Sequence, residues 1–185
     1  MCKRCDWAQS SEREKQYHDT EWGYEKHDDR ELFECLVLES MQSGLSWSTI
    51  LNKRDTLREA FDDFDIETVA RYSEEKVEEL LNNPGVIRHK QKILATINNA
   101  RVIQKIQISH GSFNQYIWSF VDYQPIVNEW QSIKEVPSRN ELSDNLAKEL
   151  KKQGFKFLGS TTLYSFMQSV GMIDDHMSYC FRKNP

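Results

Sequence analysis

Cysteine and histidine occur as two pairs at opposite ends of the 185-residue chain, Cys5 with His18 and His176 with Cys180. Thiolate sulfur and imidazole nitrogen are the ligands that tetrahedral Zn2+ accepts, and four protein ligands make such a site structural because no position remains for a reactive water. His176 and Cys180 are one helical turn apart, so both can face one ion, and a shared site would tie the termini together. On spacing alone, the same residues also read as unrelated reduced thiols and surface histidines. Cys2 and Cys5 form a C-x-x-C as well. Cys5 is preferred as the ligand, because Cys2 follows the initiator and should fray.

A second chemical signal is an acid among apolar residues. On a helix starting at Asp28, Leu32, Leu36 and Glu39 fall at successive turns, which places Glu39 along the buried stripe. Burying a carboxylate costs several kcal/mol unless it is paired, and such acids are often functional. Directly after it comes Gln42-Ser43-Gly44-Leu45-Ser46-Trp47, and earlier in the chain stand Trp7, Tyr17 and Trp22. Aromatic planes around a polar acceptor suit a flat heterocycle that stacks on the rings and hydrogen-bonds at its edge. Each ring taken singly reads first as core.

The turn Pro84-Gly85-Val86-Ile87-Arg88 supplies a third. A Gly-containing turn between helices presents backbone N–H groups at the start of the second helix, where the dipole favours an anion such as a DNA phosphate. With Arg88, Lys90 and Lys92 beside it, the segment resembles a helix-hairpin-helix, although the second glycine of that pattern is replaced by Arg88. An ordinary helix corner reads the same way. The net charge of -5 would discourage nucleic-acid binding, but the signs are segregated. An acidic stretch from Glu59 to Glu79 is followed by Arg88, His89, Lys90, Lys92 and Arg101 with no acid between, and Lys148, Lys151, Lys152 and Lys156 form a second basic group.

The elements that must position these residues are helical. Periodicity and caps predict helices from Asp28, from Ser46 to about Ala60, from Ser73 to the Asn82-Asn83-Pro84-Gly85 stop, and from Arg88 to Gln104. Shorter ones are predicted at Phe113–Phe120, Ser143–Gln153 and Thr161–Val170. Strand-like alternation is nearly absent, so the class is all-α. A chain of this length with 38% hydrophobic residues suffices for one core, divided at most into two lobes, so residues 1–185 read as a single domain. No apolar run reaches membrane-spanning length and the N-terminus lacks a signal-peptide stretch. Four cysteines in such a chain point to the reducing cytoplasm and to metal binding over disulfides.

Several blocks together resemble the bacterial 3-methyladenine DNA glycosylase I family. They are Tyr17-His18-Asp19-Thr20-Glu21-Trp22-Gly23, Leu38 through Trp47, Gly85-Val86-Ile87-Arg88-His89, Trp118-Ser119-Phe120-Val121, Gly154 through Gly159, and Tyr164-Ser165-Phe166-Met167-Gln168 with Asp175-His176. The resemblance implies a two-lobed all-α helix-hairpin-helix glycosylase, a monomer that acts on double-stranded alkylated DNA and releases 3-methyladenine. It implies one structural zinc on Cys5, His18, His176 and Cys180. By the same similarity Glu39 hydrogen-bonds the extruded base, Tyr17 and Trp47 stack on it with Trp7 and Trp22 in support, and Leu45 beside Gly44 wedges into the duplex. Gly85, Val86, Arg88 and Lys90 would hold the backbone. Members of the wider superfamily carry an aspartate about twenty residues beyond the hairpin glycine; here Lys105 to His110 holds none, and Asp122 is assigned a structural role. Without a lysine nucleophile, strand cleavage is not expected. A non-catalytic zinc-stapled DNA-binding domain is the alternative, but it has no need of a buried Glu39. A zinc hydrolase fails because four protein ligands leave no catalytic water.

Overall fold

The computed structural model describes residues 3–183, and Cys2 lies outside them. Among these residues the chain forms α1 (Glu12–Thr20), α2 (Asp29–Gln42), α3 (Trp47–Ala60), α4 (Ile66–Ala70), α5 (Glu74–Asn82), α6 (Lys90–His110), α7 (Phe113–Trp118), α8 (Glu141–Gln153) and α9 (Ser160–Ser169). Most begin on a side chain that accepts an otherwise orphaned amide of the first turn: Ser11, Asp28, Ser46, Asp65, Ser73, His89, Ser112 and Asn140 all do so.

Helix α2 is the axis of the molecule. Every residue from Leu32 to Met41 is buried, because α3, α6, α7 and α9 pack around it. The large core contains Phe33, Phe61, Phe64, Phe113 and Phe166, all fully enclosed, each stabilising the fold by about 1.5–3 kcal/mol relative to exposure. A smaller cluster of Cys5, Tyr17, Trp22, Leu51, Met177 and Cys180 joins the two ends of the chain. Trp47 and Val136 pack against both clusters, which places the junction at the start of α3.

The structure departs from the sequence expectations in three places. Helices α1 and α4 are additional to those expected; both are short and polar on their outer faces, so their apolar period is weak. The long helix starts at Lys90 rather than Arg88, since His89 is its cap, its Nδ1 accepting the Lys92 amide at 3.3 Å. It runs on to His110, ended only by Gly111 at φ +85. Two two-residue strands, β1 (Ile126–Val127) and β2 (Ile173–Asp174), pair in parallel, and Trp130 bridges Met177. This ladder carries the 126–130 segment alongside the C-terminal metal-ligand candidates.

Candidate active site

A cavity of about 430 Å³ opens at the junction of the two clusters, walled by Trp7, Tyr17, Trp22 and Trp47 with Glu39 among them, and by Tyr164, Gln168 and Asp175 from the C-terminal third. Helix α1 supplies Tyr17, α2 supplies Glu39, and the first turn of α3 supplies Trp47. The ring centroids of Tyr17 and Trp47 are 5.3 Å apart at 50°, and those of Trp7 and Trp22 are 5.0 Å apart at 74°. The rings thus make a cage and leave open space between them. Behind it, the Arg54 guanidinium donates to Glu34 at 2.9 Å and Glu21 at 2.8 Å, pinning α3 to α2 and to the end of α1.

Glu39 is 6% exposed, and its carboxyl has no hydrogen-bond or ion-pair partner among the described residues. Burial alone pushes it up to about 8, so at neutral pH the acid holds its proton until a positive charge arrives. Burial, and after it the nearness of Glu39, likewise raises Tyr17 well above the ordinary phenol range, so its hydroxyl stays protonated. The indole Nε1 of Trp47 is buried without a partner too. An unpaired acid and an unpaired donor in one aromatic cage form a receptor for a flat, polar-edged, positively charged group.

Asp175 is the residue that sequence reasoning missed as part of the site. It is 2% exposed, and its carboxylate accepts from Asn128 Nδ2 (2.8 Å) and Trp130 Nε1 (2.7 Å) on one oxygen, and from Tyr164 Oη (2.5 Å) and Gln168 Nε2 (2.8 Å) on the other. Four donors from α9 and the β1 segment therefore converge on one wall of the cavity. The sequence offered one signal, its place immediately before His176.

The four cysteine and histidine residues do meet. All are buried, and their ligand atoms lie within 4.8 Å of one another. His176 Nδ1 is 3.6 Å from Cys5 Sγ and 3.7 Å from Cys180 Sγ, and His18 Nε2 is 3.4 Å from Cys180 Sγ. Tetrahedral metal bonds of about 2.3 Å to sulfur and about 2.0–2.1 Å to nitrogen put neighbouring ligands about 3.6 Å apart, so the donor set fits such an ion. His18 Nδ1 lies 2.9 Å from Asp19 Oδ1, which Arg4 also holds; a carboxylate in this place orients a metal-bound imidazole. Gly23, at φ +79, passes so close that a Cβ there would stand 2.8 Å from His176 Nε2. Trp22 is the shared wall, its ring 4.6 Å from His176 and also lining the cavity.

The residues expected to touch DNA divide. Gly44, at φ +79 with open space where a Cβ would point, and Leu45, 40% exposed, stand clear at the end of α2. Arg88 and Lys90 are exposed. Val86 is a correction: it is 2% exposed and belongs to the core, so only its backbone faces the turn. Gly85 is required by close packing, since a Cβ would meet Thr56 at 2.9 Å, and its amide is already taken by Asn83 Oδ1 at 2.8 Å. The amides of Ile87, Arg88, Lys90 and Gln91 enter no hydrogen bond of the turn. Lys92 is a second correction, being 4% exposed and donating to the carbonyls of Met41 (2.8 Å) and Ser43 (2.6 Å). A cation at the carbonyl end of α2 is favoured by the helix dipole, and it ties α6 to the Leu45 loop. Asp122 sits on an exposed left-handed turn at φ 52, away from the cavity lining.

This mostly helical fold is that of the solved 3-methyladenine DNA glycosylase I structures. A solved structure of that enzyme superimposes with a TM-score of 0.94 at 47% identity, over 97% of this chain and 98% of that one. The Staphylococcus aureus enzyme, in a structure describing its recognition of 3-methyladenine, also gives 0.94, at 35% identity over 97% of this chain and 96% of that one. DNA-3-methyladenine glycosylase of Haemophilus influenzae is 42% identical over 180 residues, 97% of each chain. Residues 7–183 match the methyladenine glycosylase family. The chain belongs to that family.

Proposed function

We propose that this protein hydrolyses the N-glycosidic bond of 3-methyladenine in double-stranded alkylated DNA, releasing the base and leaving an abasic site for base excision repair. The observation that carries the reading is Glu39, a buried carboxyl with no partner among the described residues, inside an aromatic cage. A purine methylated at N3 is cationic while bound to deoxyribose. Its charge offsets the desolvation that keeps Glu39 protonated, so entry of the lesion favours the carboxylate, whereas neutral adenine leaves the acid uncompensated. Tyr17 and Trp47 stack on the base, with Trp7 and Trp22 closing the cage.

The chemistry asks little more of the protein. When the C1′–N9 bond breaks, its electron pair leaves with the purine and neutralises the methylated ring. Water then bonds to C1′ and gives its proton to solvent. Selective binding of the cation as it is extruded supplies the specificity. Leu45, on the turn that Gly44 permits, occupies the gap left in the duplex. The side chains of Arg88 and Lys90 and the open amides of Ile87, Arg88, Lys90 and Gln91 hold phosphates as a helix-hairpin-helix does, with the duplex entering between two helical lobes.

The Cys5, His18, His176 and Cys180 cluster is assigned one zinc ion. Two thiolates and two imidazoles at tetrahedral spacing support it. The ion would be structural, cross-linking the termini and bracing Trp22, and it takes no step in the reaction. Such a thiol-rich site suits the reducing cytoplasm.

The test is incubation with methylated duplex DNA followed by chromatography of the released bases. A 3-methyladenine peak that depends on Glu39 is expected. A wild-type protein that binds duplex but releases no methylated purine would remove the enzymatic reading and leave the DNA-binding alternative.

A further inference from the structure

Phe157, in the turn between α8 and α9, is held in a conformation that bulky side chains avoid. Its φ is +62 and its ring is 41% exposed, while Phe155, two residues earlier, is 5% exposed and fills the core. A left-handed backbone at a bulky residue is strained, and persists only where the surroundings impose it. Here they do. Asn98 Nδ2 donates to the Gly154 carbonyl at 2.8 Å, and the Asn99 side chain takes both backbone groups of Lys156 at 2.9 Å. Ser40 Oγ donates to the Phe157 carbonyl at 3.3 Å. The Phe157 ring meets the His89 ring edge-on at 5.8 Å.

These contacts fix the location of the ring. Ser40 lies in the last turn of α2, just before the Leu45 loop, and His89 closes the turn that carries Arg88. Phe157 therefore stands between the two segments already assigned to DNA. Arg88, Lys90 and Lys156 around it are exposed and make no ion pair among the described residues. An exposed aromatic flanked by unpaired cations is the combination that grips nucleic acid through stacking and phosphate contact together.

We propose that Phe157, with Lys156 beside it, is a third contact with duplex DNA, its ring resting against the nucleotides next to the extruded base. The inference builds on the glycosylase reading above. It differs from a packing role in one measurable way: glycine suits a φ of +62 better than phenylalanine does, so removing the ring should leave the turn intact or firmer.

The experiment compares wild type, Phe157→Gly and Phe157→Trp. Thermal stability, binding to a duplex containing a tetrahydrofuran abasic analogue, and binding of free 3-methyladenine followed by tryptophan fluorescence are measured on each. Phe157→Gly should melt at the same or a higher temperature and bind free base normally, yet bind the abasic duplex about tenfold more weakly, the scale of one lost base–aromatic stack. Phe157→Trp should recover most of that loss. Unchanged duplex affinity in Phe157→Gly would overturn the proposal, as would a loss accompanied by lower stability and weaker free-base binding. If wild type binds the abasic duplex but releases no 3-methyladenine, the glycosylase reading fails while the Phe157 contact is still decided by the affinities.

Discussion

Replacing Glu39 by glutamine should weaken the enzyme and strengthen the fold, with the gain in stability set by pH. The carboxyl is raised from 4.5 to about 8 by burial. A raised acid means that the native state binds more protons than the unfolded chain between those two values, so wild-type stability declines as pH rises through that window. Below about pH 4.5 both states are protonated and the penalty vanishes. At 1.36 kcal/mol per pKa unit, holding the proton against neutral solution costs the native state roughly 3 kcal/mol at pH 7. Water entering the cavity reduces this, so Glu39→Gln should gain about 1–3 kcal/mol over wild type at pH 8 and little at pH 4.5.

Urea titrations of both proteins at the two pH values read the difference directly. On the same preparations, release of 3-methyladenine by Glu39→Gln should fall about 10- to 1000-fold, equivalent to losing roughly 1.4–4 kcal/mol of transition-state stabilisation. A variant less stable than wild type at pH 8, or a stability difference that ignores pH, would show that Glu39 has a partner in the fold and would refute the unpaired-acid argument. Full activity with raised stability would refute only its role with the cationic base.

Cys180→Ala should lose the metal ion and, with it, thermal stability, while the fraction that remains folded keeps its activity; metal analysis beside a melting curve checks this, and an unchanged metal content would remove Cys180 from the cluster. Lys90→Gln should weaken binding to DNA of any sequence and lower the slope of log affinity against log salt by about one or less. Lys92→Gln should leave that slope alone and instead impair excision from duplex, because it frees the carbonyls of Met41 and Ser43 that steady the Leu45 loop. Asp175→Asn sets an amide N–H against two of four converging donors, so both stability and free 3-methyladenine binding, measured by calorimetry, should fall; normal base binding would show that this wall of the cavity serves folding alone.

What the sequence reveals of this site follows from how each residue is held. Glu39 is legible because Leu32 and Leu36 put its position on an apolar stripe, although α2 proves enclosed on every side from Leu32 to Met41. The cysteine–histidine cluster is legible by chemical type, although spacing leaves Cys2 and the unpaired reading open. Lys92 escapes a reading that treats the basic run from Arg88 as one surface, because the helix divides that run. Lys92, Thr96, Asn99, Ile103 and Ile106 share a buried face, while Lys90, Gln91 and Leu94 lie outside it. The same period that finds Glu39 also finds Lys92 once it is applied to charged residues.

Asp175 marks the boundary of such reasoning. Its donors come from positions 128, 130, 164 and 168, two of them on an irregular segment whose path is set by a two-residue strand pairing that carries no alternation to detect. Phe157 lies beyond that boundary for a different reason, since nothing in Phe155-Lys156-Phe157 says which ring turns inward. The choice is made by Asn99 and Ser40 capturing the backbone on either side. Helical phase thus assigns Glu39 and Lys92, while convergent hydrogen bonds assign Asp175 at the cavity wall and Phe157 on the surface around it. Glu39 and Lys92 can be inferred one at a time; the wall and the surface exist only once α2, α6 and α9 are packed together.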